Sequence, residues 1–71
     1  MEKALIKIVD DYHEEKVKYM VHSKHKLVFT TKEKILATRY DENDKSFEED
    51  FNKAIKSFGR KNKIIIEIER S

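Results

Sequence analysis

The chain has 71 residues, 42% of them charged, with one glycine, no proline and no cysteine. That length leaves room for one small core, hence a single domain over residues 1–71, and the missing cysteines and glycines exclude disulfides, thiolate metal sites and glycine-rich phosphate loops. Sixteen basic residues face fourteen acidic ones for a net charge of +2, too little to make a general nucleic-acid binder by bulk charge.

Small secreted domains usually depend on disulfide staples, so their absence places the chain in the cytoplasm by expectation. The start, Met1 to Lys7, alternates charged and apolar residues and does not read as a signal peptide. No apolar run exceeds three residues, as in Ile64-Ile65-Ile66, so no membrane span is expected.

In chain order, Ala4 to Val9 reads as a strand with Ala4, Ile6 and Ile8 inward. Asp10 to Glu15 is a polar break. Val17, Tyr19 and Val21 alternate with Lys16, Lys18, Met20 and His22 and predict a second strand. A competing reading makes Asp11 to Ser23 a helix, because Asp11 and Glu14 fit a capping box. Leu27 to Thr31 and Ile35 to Tyr40 read as third and fourth strands, separated by a Lys32-Glu33-Lys34 turn.

Phe47, Phe51, Ala54, Ile55 and Phe58 then fall on one stripe of a 3.6-period helix. Ser46 with Glu49 fits a capping box, and Gly59 stands where a left-handed residue ends a helix. Ile64 to Glu69 is dense in β-branched residues and predicts a last strand, with Ile64, Ile66 and Ile68 on its buried face. The order β-β-β-β-α-β defines an α+β fold, a mainly antiparallel sheet with one amphipathic helix packed on one face. If the last strand lies at a sheet edge, pairing it across a two-fold axis gives a homodimer.

Catalytic and metal chemistry find little to stand on. His22 and His25 have an H-x-x-H spacing without the third converging ligand that a metal requires. The stretch Asp41 to Ser46 lacks the glycine and the final glutamate of a calcium loop. No cofactor, metal or catalytic residue is therefore expected, and the chain reads as a non-enzymatic binding module. Charge is segregated. Lys24, Lys26, Lys32, Lys34, Arg60, Lys61 and Lys63 could form one basic face for phosphates or an acidic protein surface, with Tyr19 and Tyr40 adding stacking. Asp41, Glu42, Asp44, Glu48, Glu49 and Asp50 form the opposite, acidic pole.

Ile35 to Phe47, followed by Phe51 to Lys56, resembles a pattern of small phage and prophage proteins. There a strand ending in a small residue runs through a polar acidic loop to a phenylalanine and one amphipathic helix. This chain lacks the group's glycine before Ala37, the cysteine or histidine after it, and the loop proline. The resemblance implies a phage or mobile-element product that binds a host nucleic-acid-processing or defence protein, often as a stoichiometric inhibitor. It carries over no functional residue. The alternative is a small nucleic-acid-binding protein that uses the lysine-rich face.

Overall fold

The structure, a computed structural model, describes residues 2–24 and 27–70. Strands β1 (Glu2–Asp10), β2 (Val17–Val21) and β3 (Phe29–Thr31) are followed by a 3-10 turn at Lys34–Leu36, helix α1 (Lys45–Phe58) and strand β4 (Asn62–Arg70). The strands form one antiparallel sheet in the order β3-β2-β1-β4. With α1 on one face, this is the α+β architecture expected.

β1 is buried on both faces. Ile6 and Ile8 point toward α1 and join Met20, Tyr40 and Ala54 in one core cluster, against which Phe47, Phe51, Phe58 and Ile64 pack. Leu5, on the opposite face, packs with Tyr19 and Ala37 beside Val17. β2 supplies a residue to each cluster, Met20 to one and Tyr19 to the other. Only an extended chain sends neighbours to opposite faces, which is why Val17–Val21 is a strand and the helical alternative fails. Before it, the Asp10 carboxylate accepts the amides of Tyr12 (2.8 Å) and His13 (3.0 Å) and so shapes the turn out of β1.

The expected fourth strand is not one. Residues 34–36 curl into a 3-10 turn, and Ile35 and Leu36 are exposed. Arg39 explains the curl. Its Nη1 donates to the carbonyls of Lys34, Ile35 and Ala37 at 3.2, 3.1 and 2.9 Å, gathering three acceptors that a strand would hold apart. What remains extended is short. Thr38 N donates to Met20 O (3.3 Å), while Tyr40 exchanges both bonds with Ala4 at 2.8 Å. The segment thus wedges between β1 and β2 beyond their three ladder pairs.

Helix α1 begins earlier than the capping-box spacing predicts. Asp44, in an extended conformation, is the N-cap, and its side chain accepts from Ser46 N at 3.3 Å. Ser46 therefore serves as donor of a backbone amide, not as the cap. Gly59 corrects a second expectation. Its φ of −62° is right-handed. The glycine is needed for space instead, because a Cβ there would lie 2.5 Å from the carbonyl oxygen of Ile55.

Two core assignments also change. Ile55 is 45% exposed, at the margin of the stripe. On β4, Ile64 packs against the core while Ile66 and Ile68 are 44% and 43% exposed. The helix leaves the second half of β4 uncovered.

Candidate functional site

β1 ends, β2 begins, β3 ends and β4 begins at one end of the sheet, and α1 delivers its C-terminus there. This antiparallel arrangement gathers Lys32, Arg60, Lys61 and Lys63 from the expected basic face. It adds Lys16, Lys18 and Lys56. An open groove of about 580 Å³ is lined by Asp10, Glu15, Lys16, Val17, Lys18, Lys32 and Asn62. A smaller one of about 240 Å³ lies between Lys56, Phe58, Arg60, Lys61 and Asn62. The two share Asn62, whose Nδ2 donates to Phe58 O at 3.2 Å and ties the helix end to β4.

The ion-pair pattern sets this end apart. Lys3, Lys7, Lys34, Arg39, Lys53 and Arg70 each meet a carboxylate, all away from it. Among the described residues, Lys16, Lys18, Lys32, Lys56, Arg60, Lys61 and Lys63 form no ion pair. Lys18 instead holds its ammonium 4.1 Å from the Phe58 ring centre. Acids are interleaved with these cations. Asp11 donates its amide to Lys61 O (3.0 Å), and Glu14 and Glu15 follow in the same exposed turn. The surface is a mosaic with basic excess.

The remaining residues of the expected face are elsewhere. Lys24 follows β2 at the opposite end of the sheet. Lys34 lies on the face away from the helix, 3.0 Å from Glu67 Oε2, and that contact raises its pKa. Lys26 lies outside the described residues, as does His25. Tyr19 and Tyr40 are 7% and 2% exposed and offer no ring to a base. Lys16 and Lys18 were not assigned to this face from the sequence because their membership depends on strand direction and register, which spacing alone does not give; Lys56, in the last turn of α1, lies within the same basic run as Arg60 and Lys61.

A second polar cluster was wholly unanticipated. Asp50 is 1% exposed and belongs to the core, not to the acidic pole. Its Oδ2 accepts from Tyr40 Oη at 2.7 Å and from His22 Nδ1 at 2.9 Å, and Lys53 Nζ stands 3.6 Å from Oδ1. A carboxylate oxygen only accepts, so His22 donates to it through Nδ1. Burial, reinforced by the Asp50 carboxylate, raises the Tyr40 pKa and keeps the phenol neutral. His22 is fixed further by its own amide, which donates to Thr38 Oγ1 at 2.7 Å. The cluster thus stitches α1, the end of β2 and the 38–40 wedge together. A signal for it existed. Asp50 sits three residues after Phe47 and four before Ala54, an apolar position of the helix stripe filled by an acid.

No helix among the described residues is long and apolar enough to cross a membrane. No protein-family model, curated protein or solved structure matches the chain.

Proposed function

We propose that the chain is a non-enzymatic binding module whose working surface is the basic mosaic at the C-terminal end of α1, and that its partner is a protein with a complementary acidic patch. The observation that carries this reading is the segregation of cations. Among the described residues, six of those elsewhere meet specific carboxylates, Lys24 and Lys45 being the exceptions, while the seven at this end form no ion pair and cluster about two open grooves. Unpaired surface cations cost little in water and become valuable when a partner supplies the anion.

Interleaved Asp10, Asp11, Glu14 and Glu15 favour a protein over nucleic acid. A phosphate backbone is uniformly negative and is repelled by each of them, whereas a protein surface can match a mosaic. Asp50, with both oxygens engaged inside the fold, supports a structural rather than a catalytic use of the one buried acid among the described residues. The resemblance to small phage proteins supports a host nucleic-acid-processing or defence protein as the partner.

Affinity capture from the source cells, run beside an Arg60→Glu, Lys61→Glu variant, tests the reading. A partner retained by the parent chain and lost by the variant supports it. Titration with single- and double-stranded oligonucleotides tests the alternative. Binding whose logarithm falls steeply and linearly with log salt would make the chain a nucleic-acid binder.

A further inference from the structure

The two edges of the sheet are unlike. β3 has three residues, and an edge so short offers little to another chain. β4 has nine, paired to β1 without a bulge from Asp10↔Asn62 to Glu2↔Arg70, and no described strand pairs with its other side. Long edges are normally guarded by proline, a bulge or an inward-pointing charge. β4 has none of these on its helix-side face, which presents Ile64, Ile66 and Ile68, the last two 44% and 43% exposed. Arg70, at the far end of that face, pairs with Glu2, and both carboxylates of the other face are paired. Glu67 meets Lys7 and Lys34, and Glu69 meets Arg39.

The exposed apolar surface extends onto the helix. Asp50 and Ile55 are separated by about 140° around α1. Asp50 faces the β2 side, where Tyr40 and His22 hold it. Ile55, 45% exposed, therefore flanks the β4 side.

We infer that β4 pairs with β4 of a second copy, antiparallel about a two-fold axis normal to the sheet through Ile66, giving a continuous eight-stranded sheet. The sequence of β4 is self-complementary in that register. Ile66 meets Ile66 of the copy, Ile64 meets Ile68, and Lys63 meets Glu69, whose carboxylate then lies between Lys63 and Arg39. Because Ile66 is the midpoint of Asn62–Arg70, the strands also pair end to end. Neighbouring registers are worse. An axis through Glu67 sets that carboxylate against its own copy and Ile64 against Arg70, and an axis through Ile65 sets Ile68 against Asn62. Opposed like charges and broken apolar pairs both weaken a ladder.

Sedimentation equilibrium over a concentration series, with single-cysteine variants, tests the inference. The 8.5 kDa chain should sediment at twice its mass, and Ile66→Lys, which opposes two ammonium groups at the axis, should return it to monomer with its circular dichroism unchanged. The chain has no cysteine, so introduced ones report cleanly. Under mild oxidation Ile66→Cys should link to itself in high yield. Ile68→Cys should not, since its two copies would be roughly 14 Å apart along the strands. A parent chain that is monomeric at every concentration overturns the dimer. Equal cross-linking of the two cysteine variants overturns the register. Should Ile66→Lys lose its fold, the cross-linking pattern alone decides.

Discussion

At the residue scale the fold turns on polar side chains in unusual places. Asp50 is the clearest. It is fully desolvated yet bonded to Tyr40 and His22 and close to Lys53. Asp50→Ala leaves a buried phenol without its acceptor, and stability should fall by about 2–4 kcal/mol, measured by urea denaturation. A loss near zero would mean the cluster is incidental. Gly59 has a steric role. In Gly59→Ala the new methyl must displace backbone at Ile55, and a loss of about 1–2 kcal/mol is expected despite alanine's better helix propensity. A stabilised variant would refute the close approach. Arg39 holds the 34–37 turn and pairs with Glu69 through Nε at 2.9 Å. The guanidinium lowers the Glu69 pKa from its ordinary 4.5. A depressed carboxylate stabilises the fold above its unfolded pKa, and that contribution is lost as pH falls through the folded value. Arg39→Met should therefore flatten the decline of stability between about pH 5 and pH 3, and an unchanged slope would show the pair to be inert.

At the scale of elements, legibility followed the source of the order. α1 could be read because its apolar stripe is local, although its N-cap proved to be Asp44 rather than Ser46. β1, β2 and β4 could be read because their β-branched alternation is local too. Residues 35–40 could not. Ile35, Leu36 and Ala37 have strand character, but Arg39 draws their carbonyls to one guanidinium, and that arrangement also needs Glu69 from thirty residues further on. The basic end was half legible. Arg60, Lys61 and Lys63 are contiguous with the helix end, whereas Lys16, Lys18 and Lys32 arrive through strand pairing, and Lys24 and Lys34 are carried elsewhere by it. The helix stripe also divides in a way spacing does not reveal. Phe51 packs against the core and lies 6.1 Å from the Phe47 ring, while Ile55 stands at the margin. Phe51→Ala should cost about 3 kcal/mol and Ile55→Ala less than about 1 kcal/mol in denaturation. Equal losses would contradict the division of the stripe between a packed Phe51 and a marginal Ile55.

At the scale of the whole molecule, the fold separates two surfaces by charge and polarity. The end where α1 meets β4 collects seven cations that form no ion pair among the described residues. The opposite end carries Asp41 to Asp44 and the acidic first turn of α1. Two double reversals, compared on binding to the captured partner, weigh these surfaces against each other. Arg60→Glu with Lys61→Glu alters exposed positions and spares the core, as does Glu48→Lys with Glu49→Lys; Asp50 is unsuitable because it is buried. Binding kinetics by surface plasmon resonance is the direct measurement. The first reversal should weaken affinity at least tenfold, chiefly by slowing association, and the second should leave it within about twofold. If the second abolishes binding and the first does not, the acidic pole is the working surface and the basic end is only a solubilising rim.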